Sequence, residues 1–278
     1  MGAPVYDGFE TLSIDISDRV AVGVIDAPPV NVMTPQLFRD LRNFADATAT
    51  DDEVRVVVLR SANPEFFIAH FDVEVLEAAP VDEPAQRSDT LNSFHRMCET
   101  YRTMPKPTIA EIAGRVGGGG NELAMSFDMR FAALGSAVFN QMEVPLGILP
   151  GGSGTQRLPR LVGRGRAMEI VLGGVDIDAE TADRWGLVNR AMPADELTPF
   201  VDALARRIAS FSPGAVALAK QSVLNADELD LSEGLLEEAF LFQQTMRLPG
   251  TQALMREFLA RGGQTREGEL RVADLMTE

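Results

Sequence analysis

Four consecutive glycines at positions 117–120 restrict the possible folds of this chain more than any other feature of its sequence. Glycine loses more backbone entropy on folding than any other residue, so such a run is costly unless bare backbone is required. The run leads directly into Asn121, Glu122 and an apolar stretch that is typical of a short helix. Unhindered N–H groups at the start of a helix carry partial positive charge, which favours an anion or a carbonyl oxygen that becomes one.

Three alternative interpretations of the glycine run remain open from the run alone. The dinucleotide fingerprint G-x-G-x-x-G does not occur in register with a following helix, and no Gly-Lys-Ser/Thr of a phosphate loop follows. Both of these alternatives are therefore weak. The third is a flexible turn in which Glu122 only complements the helix dipole.

Composition and charge exclude several classes of protein. A chain of 278 residues with 45% hydrophobic residues can bury a large core. The formal charge of −16 argues against a nucleic-acid partner, because phosphates require a basic surface. No apolar run approaches the roughly 20 residues of a membrane span, and the N-terminus lacks the pattern of a secretory signal. Cys98 is the only cysteine, so no internal disulfide can form. We therefore expect a cytoplasmic protein with no membrane or nucleic-acid partner.

The pattern of apolar residues predicts an α/β part followed by a helical part. Strands are predicted at 12–16, 20–25, 53–60, 108–113, 129–133 and 138–141, and Thr34-Pro35 suits the start of a helix. Leu91, Phe94, Cys98 and Tyr101 mark the inner face of another helix. From about residue 200 four helical patterns follow one another. The predicted division is a core at 1–199 and a helical segment at 200–278.

The chain resembles the crotonase superfamily, also called the enoyl-CoA hydratase/isomerase superfamily, over nearly its whole length. The resembling segments occur in family order and include PPVNVM, the glycine run and an FxQxE motif; they are 28–33, 56–76, 106–133, 139–163 and 179–197. The resemblance implies an α/β crotonase spiral of repeated strand-strand-helix units with an all-helical C-terminal trimerisation segment. It also implies a homotrimer or a homohexamer.

The resemblance implies a site for an acyl-CoA thioester. The backbone N–H groups of Gly119 and Phe71 match the oxyanion hole, which stabilises the enolate oxygen. Glu122 and Glu143 match the two glutamates of the hydratases, one of which takes a proton from water while the other delivers a proton to C2. The implied reaction is syn addition of water to a trans-2-enoyl-CoA. No metal or redox cofactor is expected, since coenzyme A is part of the substrate.

The chain departs from the usual family pattern at two places. His70 and Phe71 stand where small residues are usual, and about one extra residue lies near 134–136, between Glu122 and Phe139. The backbone N–H of Phe71 can still donate to an oxyanion. Its ring is larger than the side chain usual at this position and needs space in the folded protein, for example in the acyl pocket. His70 is either a third catalytic group or a packed, hydrogen-bonded side chain.

Further substrate contacts are implied by the resemblance. The residues that match substrate- or CoA-binding positions are Ala69, His70, Asp72, Leu76, Gly118, Pro145, Leu146, Gly147 and Arg261. Arg261 would reach CoA from a neighbouring subunit, and the alternative is an ordinary surface arginine.

The predicted function is that of an enoyl-CoA hydratase, with two classes of alternative. Other reactions on the same fold, such as double-bond isomerisation, retro-aldol cleavage, thioester hydrolysis or dehalogenation, use the same oxyanion hole with different side chains. A non-catalytic acyl-CoA binder would not need both glutamates.

Overall fold

The computed structural model describes residues 6–276 and contains ten strands within them. The strands are β1 (Leu12–Ser17), β2 (Val20–Ile25), β3 (Val56–Ser61), β4 (Phe66–Ile68), β5 (Thr108–Ile112), β6 (Arg115–Gly117), β7 (Met129–Ala133), β8 (Val138–Asn140), β9 (Ile177–Asp178) and β10 (Arg190–Met192). One sheet has the order β1-β2-β3-β5-β7-β10 and the other has the order β4-β6-β8-β9. In the larger sheet β1 and β2 are antiparallel, and every later pairing is parallel.

The helices surround these sheets and dominate the C-terminal part. They are α1 (Pro35–Thr50), α2 (Val73–Glu77), α3 (Ser93–Thr103), α4 (Gly118–Ala124), α5 (Gly154–Val162), α6 (Arg164–Gly173), α7 (Ala179–Trp185), α8 (Ala194–Ala209), α9 (Pro213–Asn225), α10 (Leu231–Thr245), α11 (Thr251–Ala260) and α12 (Arg266–Glu269), with a 3-10 turn at Val144–Leu146. Among the described residues, no helix has both the length and the apolarity needed to cross a lipid bilayer. Residues 1–5, which bear on the expectation of no secretory signal, lie outside the described residues.

Strand, strand and helix follow one another three times around the glycine run. In each repeat the first strand (β3, β5 or β7) joins the larger sheet and the second (β4, β6 or β8) joins the smaller one. The repeated strand-strand-helix order predicted from the sequence is therefore confirmed. The repeat brings the C-terminal ends of β4 and β6 side by side, because these two strands pair in parallel.

Both faces of the larger sheet are covered, which explains the continuous apolar run in β3. Val57 and Leu59 belong to one buried cluster, together with Phe44 of α1. Val56 and Val58 belong to a second cluster, to which α8 contributes several of its own residues. Parallel strands that are buried on both faces typically have such continuous apolar sequences. The predicted boundary between residues 199 and 200 lies within α8, which packs against this sheet.

Several local predictions agree with the structure, and others differ. Thr34 caps α1 by accepting from the N–H of Leu37. Residues 134–136, near which an extra residue relative to the family pattern is predicted, lie in the turn between β7 and β8. Helix α4 begins at Gly118, although the sequence predicted a start at Asn121, because the glycines themselves form its first turn. Leu91 precedes α3 and is half exposed, so it does not belong to the inner face of that helix.

Asn31 connects the PPVNVM segment to the strand that leads into the candidate site. Its Nδ2 donates to the Ser61 hydroxyl at 2.8 Å and to the Phe66 and Phe67 carbonyls, both at 3.0 Å. Its Oδ1 accepts from the N–H of Ala27 at 2.9 Å. The side chain is fully buried and the residue has a positive φ of 52°, a region that asparagine tolerates better than most residues.

We predict that Asn31→Ala lowers the free energy of unfolding by about 2–4 kcal/mol. The substitution leaves several buried polar groups without partners and places alanine at an unfavourable φ. Urea denaturation followed by circular dichroism would measure the loss. The control is Asn43→Ala on the exposed side of α1, which should change stability by less than about 0.5 kcal/mol. Equal effects of the two substitutions would contradict the role given to Asn31.

Candidate active site

The backbone after β4 lies directly against the glycine run. A Cβ atom added to Gly119 would lie 3.0 Å from Cβ of Phe71, and one added to Gly120 would lie 2.5 Å from the carbonyl oxygen of Ile68. Gly118 also has a positive φ of 46°. Any larger side chain at Gly120 would separate the two segments. The close approach is therefore the physical reason for the glycine run.

Two amide N–H groups at this contact lack a protein acceptor. Gly119 is the second residue of α4, where no intrahelical acceptor is available. Phe71 forms an isolated bridge with Met33, but its bonds use the carbonyl of His70 and the N–H of Asp72. Among residues 6–276, neither the Gly119 nor the Phe71 N–H donates to a protein group. The N of Phe71 lies 3.6 Å from the position of a Cβ on Gly119, so the two donors are neighbours.

Glu122 lies one helical turn after Gly119 in α4 and is only 3% exposed. Its Oε1 accepts from the N–H of Gly152 at 2.8 Å and from the N–H of Gly154 at 2.7 Å. Burial and, to a smaller extent, the negative charge of Glu143 raise the pKa of Glu122 to about 7, against the lowering effect of the two N–H donors and of the charge of Arg157. Near neutral pH this carboxyl group can therefore hold or release a proton.

Glu143 is also buried, and a chain of amide side chains holds it. Nδ2 of Asn121 donates to Oε1 of Gln141 at 2.9 Å, and Nε2 of Gln141 lies 3.2 Å from both carboxylate oxygens of Glu143. Burial raises the pKa of Glu143, while the hydrogen bonds from its own N–H and from Gln141, and the charge of His70, lower it. The FxQxE motif thus supplies both the carboxylate and its support.

A cavity of about 270 Å³ joins the two N–H groups and the two carboxylates. Apolar side chains form most of its remaining wall; they are Leu76, Phe94, Ile148 and Leu149. Among the described residues that line it, only Glu122 and Glu143 are charged. The site can therefore bind an uncharged apolar group with a carbonyl oxygen at the N–H pair.

Phe94 is a site residue that the sequence reasoning missed. Its ring packs edge-to-face on Phe71 at 6.1 Å between centroids and is stacked on Phe38 at 6.3 Å. A Cβ on Gly152 would lie 2.5 Å from the Phe94 ring and 2.4 Å from Oε2 of Glu122, so the ring lies beside the carboxylate. The sequence identified Phe94 only as an inward residue of α3, because nothing local shows which cavity an inward ring borders.

The predicted site residues near β4 have mixed positions. Phe71 and Leu76 line the cavity. Ala69 is buried and comes shortly before Phe71 in the sequence, but it does not line the cavity. Nδ1 of His70 lies 2.8 Å from the carbonyl oxygen of Phe71. The side chain of Asp72 caps α2 by accepting from the N–H of Glu74. The CoA-contacting roles of Ala69, His70 and Asp72 stay predictions.

The remaining predicted contacts lie outside the cavity lining. Residues 145–147 are exposed and form the turn just before Ile148 and Leu149, which do line the cavity. Gly118 contacts Glu143 rather than the cavity. Arg261 is exposed and pairs with Glu257 of its own helix at 2.6 Å. Their predicted roles toward CoA also stay predictions.

Two free amide N–H groups and two buried carboxylates on repeated strand-strand-helix units define a protein of the crotonase-fold class. The sequence profile described as Enoyl-CoA hydratase/isomerase matches residues 15–264. This chain belongs to the enoyl-CoA hydratase/isomerase family. The fold predicted from the resemblance is thereby confirmed, including the helical C-terminal segment.

Three similar proteins illustrate the relationship. The protein named "Probable enoyl-CoA hydratase echA8" from Mycobacterium leprae is 35% identical over 238 residues, which are 85% of this chain and 90% of the relative. A Streptomyces avermitilis protein of known crystal structure is 41% identical, with a TM-score of 0.71 over 97% of this chain and 98% of its own. The enoyl-CoA hydratase structure from Bacillus anthracis is 30% identical, with a TM-score of 0.81 over 91% and 97% of the two chains.

We predict that Glu122→Gln changes how stability depends on pH. The native pKa of Glu122 is raised from 4.5 to about 7, so the native state keeps a proton that the unfolded chain has released. The stability from this group is fully present below about pH 4.5 and is lost as the pH rises to 7. The Gln variant lacks this loss, so its free energy of unfolding relative to wild type should rise by about 3 kcal/mol from pH 4 to pH 8.

Urea denaturation at a series of pH values would measure this difference. Oε1 of a glutamine can still accept from Gly152 and Gly154, so the substitution removes the titration and keeps both hydrogen bonds. The matched control is Glu238→Gln on an exposed position of α10. A difference between Glu122→Gln and wild type that stays constant with pH would refute the raised pKa.

Proposed function

We propose that this protein is an enoyl-CoA hydratase that adds water to a trans-2-enoyl-CoA and forms a 3-hydroxyacyl-CoA. The observation that carries the proposal is the pair of buried carboxylates, Glu122 and Glu143, in one cavity with the free N–H groups of Gly119 and Phe71. Membership of the family and the names of similar hydratases support it.

In the proposed reaction, the two N–H groups bind the thioester carbonyl oxygen and stabilise negative charge as it develops there. A water molecule between the carboxylates attacks C3 and gives a proton to one of them, while the other gives a proton to C2. The net change is addition of H and OH across the double bond. Preorganised N–H donors of this kind contribute about 10²–10³ in rate each, and each proton transfer contributes about 10²–10⁴.

The two carboxylates suit this reaction because they cannot easily both be charged. Each raises the cost of ionising the other, and the cavity that they share excludes much of the solvent. One can therefore act as an acid while the other acts as a base. The reaction needs no metal or redox cofactor, and the coenzyme A enters with the substrate.

The apolar lining of the cavity is suited to an uncharged apolar acyl group. Leu76, Ile148 and Leu149 form one apolar wall and Phe94 forms another. The volume of about 270 Å³ corresponds to about nine water-sized groups, given about 30 Å³ for each.

Isomerisation remains the second candidate, because moving one proton between carbons requires only one carboxylate.

We predict that Glu122→Gln and Glu143→Gln each lower kcat for hydration of crotonyl-CoA or a better substrate by about two to four orders of magnitude. Glutamine keeps the shape of glutamate but does not accept a proton. The double variant should lose little more, because the pair acts as a unit. The assay is the loss of enoyl absorbance over a panel of acyl-CoAs, with the mass of each product.

Binding of acyl-CoA should persist in these variants, since backbone groups hold the thioester. Isothermal titration with a saturated acyl-CoA tests this point separately from turnover. If Glu143→Gln leaves turnover intact while Glu122→Gln abolishes it, a one-base reaction replaces hydration. If neither variant differs from wild type in any acyl-CoA reaction, the protein is a binder.

We further propose that the C-terminal helices assemble the chain into a homotrimer or a homohexamer. They expose large apolar side chains, among them Leu236 at 75% and Phe240 at 56%. In such an assembly Arg261 could reach the CoA of a neighbouring subunit. The single cysteine, Cys98, supports a cytoplasmic location, where disulfides are rare.

We predict that Leu236→Asp or Phe240→Asp lowers the native mass to that of a smaller species, because a charge would be buried at the interface. Size-exclusion chromatography with light scattering would measure it. Val81→Asp serves as the control, since Val81 is exposed in the loop between α2 and α3. A wild-type mass equal to the single-chain value of 30.1 kDa would overturn the proposed assembly.

A further inference from the structure

The turn that holds Glu122 contains a residue with a strained backbone. Ser153 lies between Gly152 and Gly154, whose N–H groups donate to Oε1 of Glu122. Its φ is 110° and its ψ is −1°, a conformation that glycine adopts readily and serine rarely. Such a conformation persists only where the surrounding structure holds it. The position of the two N–H donors therefore depends on the group that holds Ser153.

The side chain of Arg157, one turn further along α5, contacts this strained residue. Its Nε donates to Oγ of Ser153 at 2.9 Å, and its backbone N–H donates to the Ser153 carbonyl, also at 2.9 Å. Ser153 precedes α5, yet its hydroxyl group caps no N–H of that helix. The hydroxyl group is directed to the guanidinium instead. Because a guanidinium has several donors in a fixed plane, it can bind a hydroxyl group and a carboxylate at once.

The carboxylate on the other side of the guanidinium belongs to Glu99 of α3. Nη2 of Arg157 lies 2.5 Å from Oε1 of Glu99, and the two side chains are only 15% and 31% exposed. Nε of Arg102 donates to the second oxygen of Glu99 at 2.8 Å. Although partial burial opposes ionisation, the hydrogen bonds and charges of the two arginines hold the pKa of Glu99 below its ordinary value. Arg157 is therefore fixed by an ionised partner on a neighbouring helix.

Arg157 can affect Glu122 through its charge and through the turn. Burial raises the pKa of Glu122, and among the charged groups around it Glu143 raises that pKa while Arg157 lowers it. The thiol of Cys98 also faces Glu122, but burial raises its pKa to about 12, so it stays neutral. The second effect is mechanical, because Ser153 places the two N–H donors. Arg157 does not line the cavity, so it does not contact an acyl group there.

We propose that Arg157 is a positioning residue that keeps Ser153 in its strained conformation. By doing so it holds the two N–H donors of the turn on the carboxyl group of Glu122. The guanidinium acts through the backbone and does not touch the substrate. The kinetic consequence of this role rests on the proposed hydratase function, whereas the consequence for the titration of Glu122 does not.

Two substitutions of Ser153 separate the strain from the hydroxyl group. Ser153→Ala removes the acceptor for Arg157 and keeps Cβ, so the turn should relax and withdraw its N–H groups. Ser153→Gly removes the same acceptor but adopts this φ without strain. NMR of protein labelled with ¹³C at the δ-carbon of glutamate follows Glu122, and Glu122→Gln assigns its signal. We expect the titration midpoint of Glu122 to rise by about one pH unit in Ser153→Ala, because N–H donors favour the charged form.

The midpoint of Glu122 should stay near the wild-type value in Ser153→Gly. Equal midpoints in the two Ser153 variants would overturn the proposal, whether both rise or neither does. A rise in both would mean that the hydroxyl group matters without strain, and no rise in either would mean that the turn holds itself. These two variants decide the proposal even if substitutions of Arg157 prevent folding.

A double-mutant cycle tests whether Arg157 acts through the turn. Arg157→Met should raise the midpoint of Glu122 through the lost charge and through the relaxed turn. The lost charge is common to the wild-type and Ser153→Gly backgrounds, so it cancels between them. The rise should therefore be smaller by about one pH unit in the Ser153→Gly background. Equal rises in both backgrounds would overturn the proposal, because Arg157 would then act by its charge alone.

The matched control for this cycle is Arg160→Met. Arg160 belongs to the same helix, is exposed and donates to the carbonyl of Gln156 within that helix. Its substitution removes one positive charge from α5 without touching the turn. It should leave the midpoint of Glu122 near the wild-type value in both backgrounds. A rise as large as that of Arg157→Met would contradict a specific role of Arg157.

A kinetic test distinguishes this role from the proposed function. If hydration is confirmed, kcat should fall by about ten- to a hundredfold in Ser153→Ala and stay near wild type in Ser153→Gly. KM should change little in either, because the N–H groups that hold the thioester lie elsewhere. A kcat that is the same in both variants would overturn the proposal. If no hydration is found but the midpoints of Glu122 differ as described, the hydratase function fails and the role of Arg157 stands.

Discussion

The contact between two backbone segments, the glycine run and the chain after β4, is the feature on which the site depends. At Gly120 a side chain would collide with the carbonyl of Ile68, and at Gly119 it would crowd Phe71. The contact leaves two amide N–H groups beside each other without protein acceptors. The parallel pairing of β4 with β6 sets this geometry, and the buried hydrogen bonds of Asn31 fix the approach of β4. The glycines therefore serve packing and chemistry together.

The second constraint is electrostatic. Two buried carboxylates in one apolar cavity destabilise their charged forms, so each must be compensated by hydrogen bonds or share a proton with the other. Glu122 receives two backbone N–H donors from the start of α5, and Glu143 receives the amide of Gln141. The two groups are thus supported from different elements, which allows them to differ in protonation while they remain close.

The sequence predicted much of the fold because the relevant signals are local. The cap at Thr34 and the run of β-branched residues in β3 are each recognisable within a few residues. The hairpin of β1 and β2 was also predicted, with its turn at Ser17-Asp18, whereas the structure turns at Asp18-Arg19. The short strands β4 and β6 were not predicted. With three residues each they show no clear alternation, and they exist because they pair with each other. The start of α4 was placed three residues late for a related reason, since the glycines have low intrinsic helix propensity.

The sequence alone determined the family, the two glutamates and the glycine run beside them, because spacing within each motif is a property of the chain. Only the tertiary structure decided what surrounds those groups. It placed the N–H groups of Gly152 and Gly154 on Glu122, the ring of Phe94 against the same carboxylate, and the guanidinium of Arg157 on Glu99. These contacts join residues about 30 to 60 positions apart. Their distances follow from strand pairing and packing rather than from any local pattern of residues.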